Sequence, residues 1–333
     1  MNTLEPLIDQ FGRVHSDLRI SVTDRCNIRC FYCMPAENVR FKPRSELLTF
    51  EEIERFVRAS AALGVRKLRI TGGEPLVRHE LPGLIARLAQ TPGIEEIALT
   101  TNGLLLAEQA QALRKAGLAR LNISLDTLNP ETFQKISRRD GFEKVLEGIS
   151  AAQQLGFDKI KLNAVAIKGL SEPDLVPLGR FARERGLEMR FIEFMPLDAD
   201  GNWNNDQVLS GEEIRQILAA EIGPLEPLPV TNPSQPARDF RFADGGGVVG
   251  FINPVTQPFC SDCNRLRLTA EGQVRNCLFS TVEWDARAVL RQGGGERELV
   301  QLLRDCVSAK KAGHGINSDE FYKPERAMFQ IGG

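Results

Sequence analysis

No run of apolar residues approaches the roughly 18 that a bilayer span requires. The opening Met1-Asn2-Thr3-Leu4-Glu5-Pro6 has neither the basic flank nor the apolar core of a secretory signal. The expectation is a cytoplasmic protein with no membrane partner. Charge of one sign is scarce as well: 42 Lys and Arg stand against 44 Asp and Glu, a formal net charge of −2. No global field attracts nucleic acid or an anionic membrane, and any anion site must be local. Aromatics are only 7% of the chain, which also argues against a nucleic-acid partner. The three histidines, His15, His79 and His314, are assigned no chemistry, although His314, in Lys310-Lys311-Ala312-Gly313-His314-Gly315, is a candidate for shaping a C-terminal lid.

Cysteine, by contrast, is grouped. A chain of 333 residues is too long for a disulfide-stapled mini-protein, and in a reducing compartment its cysteines are expected to bind metal or to be catalytic. They fall as Cys26, Cys30 and Cys33, then Cys260, Cys263 and Cys277, then Cys306 alone. Two sites of three are implied, with Cys306 a small buried hydrophobe.

From about residue 17 to 196 one design repeats: a short apolar or β-branched run, a turn, and a helical pattern closed by glycine. Strands are expected at 18–24, 67–71, 96–101, 120–126, 160–167 and 188–195. Thr49 and Glu52 form a capping-box pattern for a helix whose apolar face carries Ile53, Phe56, Val57 and Leu63, with Gly64 to end it. Alternating strands and helices predict a parallel sheet, open or part of a barrel, with ligands beyond the strands' C-terminal ends. Past Asn202 the pattern weakens. A helix is expected over 211–221, the prolines Pro224, Pro227, Pro229, Pro233 and Pro236 read as a linker, and a second unit begins near Ala237.

The first triplet follows the first strand directly, so three thiolates share one loop at the functional end of the sheet. Three ligands leave one position open: structural zinc normally takes four protein ligands, whereas a [4Fe–4S] cubane on three cysteines keeps one iron free. The C-x3-C-x2-C spacing, with Tyr32 before the last cysteine, resembles the signature of the radical S-adenosylmethionine (SAM) superfamily. The resemblance implies that the free iron chelates SAM and that SAM is cleaved to a 5′-deoxyadenosyl radical. Gly72-Gly73-Glu74-Pro75 resembles that superfamily's SAM-binding turn, where glycine lets the backbone approach the ligand.

In the second triplet, a hairpin turning at 270–272 brings Cys277 opposite Asn264 or Arg265, within reach of Cys263. A zinc knuckle completed by Cys306 or a histidine remains an alternative on spacing alone. Arg265 and Arg267 share parity with Cys263 and would suit an anionic or carbonyl-bearing ligand.

Residues 17–26, 69–76, 100–103, 122–126, 161–163, 190–196 and 259–267, with the terminal Gly332-Gly333, together resemble the GTP 3′,8-cyclase family, which opens molybdenum cofactor biosynthesis. The resemblance covers essentially the whole chain. It implies an incomplete (βα)6 TIM-type barrel over residues 10–236 and a smaller C-terminal α+β domain over 237–333 that closes it, with a [4Fe–4S] cluster on each triplet. By position, SAM contacts match Tyr32, Gly73, Ser124 and Met195. GTP contacts match Arg19, Arg69, Thr100, Lys161, Arg190, Arg265 and Arg267. The implied reaction removes hydrogen from the ribose C3′ of GTP, and the C3′ radical attacks guanine C8 to give (8S)-3′,8-cyclo-7,8-dihydroguanosine 5′-triphosphate. Arg265, Arg267, Gly332 and Gly333 are the implied catalytic residues, with the Gly-Gly tail inserting into the site. A low-potential electron donor, coupling to cyclic pyranopterin monophosphate synthase, and a monomer or homodimer complete the expectation. The rivals are a peptide-modifying radical SAM enzyme, which predicts more auxiliary cysteines, and a non-catalytic module with two zinc sites.

Overall fold

The computed structural model describes residues 4–157, 159–319 and 321–332. Strands β1 (Asp17–Ser21), β2 (Lys67–Thr71), β3 (Glu96–Thr101), β4 (Arg120–Ser124), β5 (Ile160–Ala166) and β6 (Glu188–Glu193) lie side by side in chain order, all parallel. Each alternates. Leu18 and Ile20 of β1 and Leu68 and Ile70 of β2 are buried in the main core, where the helices Phe50–Ala62, Leu81–Ala89, Leu106–Lys115, Phe142–Gln154 and Glu172–Glu184 contribute their apolar faces. The opposite parity is left to face a cavity.

The local signals act as expected. Thr49 Oγ1 accepts from the Glu52 amide at 3.2 Å and the Glu52 carboxylate accepts from the Thr49 amide at 2.8 Å, a complete capping box. Gly64 follows that helix at φ +96°, a conformation costly for any residue with a Cβ. β1, β4 and β6 end earlier than expected. Beyond β1 the carbonyls of Thr23 and Arg25 instead accept from the amides of Gly73 and Glu74, both at 2.8 Å.

The C-terminal part is not a separate layer. β7 (Leu225–Pro227), β8 (Arg238–Phe242) and β9 (Val248–Ile252) extend the sheet beyond β6, while β10 (Arg265–Leu268), β11 (Gln273–Arg275) and β12 (Trp284–Asp285) extend it beyond β1. The expected linker therefore contributes β7, an edge strand that tolerates Pro227 because its outer side has no ladder to join. Since β9 and β10 stand at opposite edges of the six-strand core, the connection 253–264 crosses between those edges. Cys260 and Cys263 ride on it. Glu193, at the end of β6, pins this crossing by accepting from the amides of Val255 at 2.8 Å and Thr256 at 3.0 Å.

Candidate active site

One cavity of about 310 Å³ is lined by Arg19 of β1, Arg69 of β2, Thr100 of β3, Ser124 of β4, Asn163 of β5, Arg190 of β6, Ile252 of β9 and Arg267 of β10. Only a sheet curled into a partial barrel brings all eight strands to one space. All six cysteines of the two triplets line the same cavity.

The loop of the first triplet is docked on the helix Pro130–Ser137, whose end accepts from the amides of Arg29 at 2.8 Å and Phe31 at 3.2 Å. Burial pushes the Cys26 thiol up to about 11 and Cys33 to about 12, and pushes Cys30 up too. Ionising three such thiols requires a cationic group between them, and three soft donors without a fourth fit iron–sulfide chemistry. Cys306 is fully buried in the apolar core, away from the cavity that the six triplet cysteines line; His314 lines that cavity, with its Nδ1 accepting from the Ile316 amide at 3.2 Å.

Tyr32, Gly73, Ser124 and Met195, the expected SAM contacts, all line the cavity. The glycines of the Gly-Gly-Glu-Pro turn have a role unseen in sequence: a Cβ at Gly72 would lie 2.7 Å from the Thr23 carbonyl oxygen and one at Gly73 would lie 2.5 Å from that of Arg25. Sequence reasoning also passed over three supports of this loop. Glu74 is 1% exposed and accepts from Thr101 Oγ1 and the Asn102 amide, each at 2.7 Å; burial raises its carboxyl to about 7. Asn102 Nδ2 donates to Asn27 at 2.7 Å. Asp126 accepts from the Tyr32 hydroxyl at 2.6 Å and the Val165 amide at 2.8 Å. Glu74, Asn102 and Asp126 lie in the segments 72–75, 100–103 and 122–126 that carry the family resemblance, but their partners are far away in sequence, so the motifs do not reveal these bonds.

The hairpin register pairs Arg267 with Arg275, which places Cys277 opposite Arg265 two residues on, as the turn arithmetic expects. Arg265 Nη2 lies 3.4 Å from Cys263 Sγ. Burial alone would raise the Cys263 thiol, but Arg265 and Lys310 bring it down to about 6.

β10, β1 and β2 carry the same pattern in register: Leu266, Leu18 and Leu68 on the core side, and Arg267, Arg19 and Arg69 on the cavity side. A row of three guanidiniums crosses three adjacent strands, with Arg190 also on the cavity wall. Burial, with Arg267 and Arg69 alongside, pushes Arg19 well below its ordinary value. Burial lowers Arg69 to about 10 and, with Arg265 beside it, Arg267 to about 9. Among the described residues, Arg19 Nε, Arg69 Nε and Arg190 Nη2 are buried without a hydrogen-bond partner. Lys161 is different. It does not line the cavity; its Nζ is paired with Glu188 at 2.7 Å, a carboxylate it shares with Arg190 Nε at 2.6 Å.

The chain's end reaches this row. The Gly332 carbonyl accepts from Arg267 Nη1 at 2.5 Å, and at φ +77° a Cβ there would meet Thr71 Oγ1 at 2.6 Å. Gly333 lies outside the described residues.

The chain matches the Radical SAM superfamily over residues 20–182 and Molybdenum Cofactor Synthesis C over residues 187–316. It is 54% identical over 330 residues to the GTP 3′,8-cyclase of Rhodopirellula baltica, spanning 98% of this chain and 92% of that one. It belongs to the GTP 3′,8-cyclase family. The cyclase of Pelotomaculum thermopropionicum is 44% identical, spanning 98% and 99% of the two chains. Among solved structures, Streptococcus suis SuiB bound to S-adenosylmethionine aligns with TM-score 0.61 at 15% identity, over 96% of this chain and 76% of that one. anSMEcpe with bound AdoMet aligns with TM-score 0.59 at 15% identity, over 88% and 80%. At such identities these two establish the fold alone, the incomplete barrel. As a radical SAM enzyme of the GTP 3′,8-cyclase family, the protein uses SAM and two [4Fe–4S] clusters, a set that the thiols of the two triplets fit.

Proposed function

We propose that this chain converts GTP into (8S)-3′,8-cyclo-7,8-dihydroguanosine 5′-triphosphate, the opening step of molybdenum cofactor biosynthesis, in the cavity between its two cysteine triplets. The observation that carries this reading is the set of buried guanidinium nitrogens on Arg19, Arg69 and Arg190 that make no hydrogen bond among the described residues. Buried guanidinium nitrogens left unbonded are costly; Arg190 has Glu188 at 2.6 Å and Asp239 at 3.8 Å as counter-charges, and for the open nitrogens a triphosphate of about four negative charges offers the bidentate oxygens that arginine binds well.

In this reading Cys26, Cys30 and Cys33 hold one cluster and Cys260, Cys263 and Cys277 the other, and when bound the first cluster and SAM supply the hydrogen-abstracting radical chemistry. The chain supplies position. Tyr32, Gly73, Ser124 and Met195 hold SAM against the first triplet. Arg19, Arg69, Thr100 and Arg190 fix the phosphates, while Lys161 acts from behind through Glu188. Arg265 and Arg267 flank the purine beside the second triplet, and the tail, whose Gly332 carbonyl accepts from Arg267 Nη1, borders the reacting ribose. Barrel walls keep water from the radical, and a ribose displaced by about 1 Å loses on the order of a hundredfold in rate. The unit 10–236 carries the SAM half and 237–333 the second cluster. We place the reaction in the cytoplasm, fed by a low-potential electron donor.

The test is a phosphate series. Binding of GTP, GDP, GMP and ATP to reconstituted, SAM-loaded protein is compared by equilibrium dialysis. Each charge-assisted contact is worth about 1.5–3 kcal/mol, so losing two phosphates weakens GMP by on the order of 10²-fold or more relative to GTP. Equal binding of GMP and GTP would sink the phosphate assignment.

A further inference from the structure

We propose that Lys310 is the positioning residue of the second cluster site, with Arg13 as its companion; the inference rests on reading Cys260, Cys263 and Cys277 as that site. These three ligands come from a crossing loop and a hairpin, so something must fasten the pieces to one another. Lys310 follows the helix Glu296–Ser308 and is 3% exposed. A buried ammonium must place all three of its protons. Its Nζ donates to Cys263 Sγ at 3.5 Å, to the Arg265 carbonyl at 3.0 Å and to the Asn276 carbonyl at 2.7 Å. Asn276 immediately precedes Cys277, so one side chain ties both ligand-bearing strands of the hairpin. Lys310 does not line the cavity, which makes its action indirect.

Arg13 fastens the third ligand to the same backbone. Its Nη1 donates to the Cys260 carbonyl at 2.7 Å and the Ala312 carbonyl at 3.0 Å, and its Nη2 to the Lys311 carbonyl at 2.7 Å. Asp9 holds Arg13 Nε at 2.6 Å and is itself held by His15 Nε2 at 3.0 Å. Residues 310–312 are thus the anchor for all three cysteines. At the first triplet the donors to the sulfur of Cys26 are neutral, the Ile28 amide and Asn102 Nδ2, the latter at 3.8 Å. A cationic donor on a ligand sulfur favours the more negative, reduced state of a cluster, so Lys310, together with Arg265 at 3.4 Å on the same sulfur, also separates the two sites electrochemically.

The test uses full-length protein reconstituted anaerobically in a Cys30→Ser background, so that the second site is observed alone, and in the otherwise unaltered chain. Lys310→Met is expected to lose second-site iron, or to keep it with a lowered midpoint potential in EPR-monitored titration, with the first cluster's signal unchanged; Lys310→Arg is expected to recover iron. If Lys310→Met does not accumulate folded, Lys310→Gln, which keeps neutral N–H donors, is expected to retain iron at a lowered potential. Full iron and an unaltered potential in these variants would overturn the inference while leaving the cluster reading standing. A parent protein whose iron is untouched by Cys263→Ser overturns both.

Discussion

Serine in place of Cys30 is expected to remove about half of the iron and to abolish 5′-deoxyadenosine formation, whereas Cys263→Ser is expected to remove a similar share of iron yet to leave slow SAM cleavage with no cyclised nucleotide. The asymmetry follows from where the triplets stand. Tyr32 and Gly73 belong to the loops that carry and face the first triplet, while Cys263 sits beside Arg265 and Arg267 on the crossing segment. Losing one of three ligands leaves a cluster with two open irons, too weakly held to persist. Iron analysis with quantification of 5′-deoxyadenosine and nucleotide product checks the split. Identical losses from both variants would mean that the triplets do not divide the work.

Removing one cation from the arginine row has opposite effects on stability and binding. Arg19→Gln is expected to leave the thermal unfolding midpoint of the ligand-free protein unchanged or raised, because Arg19 is pushed below its ordinary value by burial and by Arg267 and Arg69, a strain that glutamine relieves. GTP affinity is expected to fall by on the order of 10- to 100-fold, the worth of one charge-assisted contact of about 1.5–3 kcal/mol. Thermal melts and equilibrium binding on one preparation decide it. A destabilised protein with intact GTP binding would show that the row is structural.

The sheet's order was legible because local chemistry writes it. Alternating Leu and Ile mark β1 and β2, Thr49 and Glu52 cap the helix between them, and glycines stop the helices at positive φ. The hairpin turn likewise determined which residue faces Cys277. What local patterns do not encode is pairing across the chain. The parallel pairing of β10 with β1, between segments at opposite ends of the sequence, is what turns Arg19, Arg69 and Arg267 into one row. Arg13 and Lys310 were unmarked for the same reason, since Arg13 reaches carbonyls some three hundred residues away. Lys161 has the parity of Asn163 but lies one layer deeper, where Glu188 occupies it, and strand parity does not distinguish layers. The prolines around 227 read as a linker because an edge strand also lacks internal partners.

The most direct test of the account is anaerobic turnover: protein reconstituted with iron and sulfide is given SAM and dithionite, and 5′-deoxyadenosine is measured with GTP, with ATP and with no nucleotide. The account predicts a burst specific to GTP together with a 3′,8-cyclised product, whereas SAM cleavage that is equal with and without GTP, and no cyclised nucleotide, would contradict it.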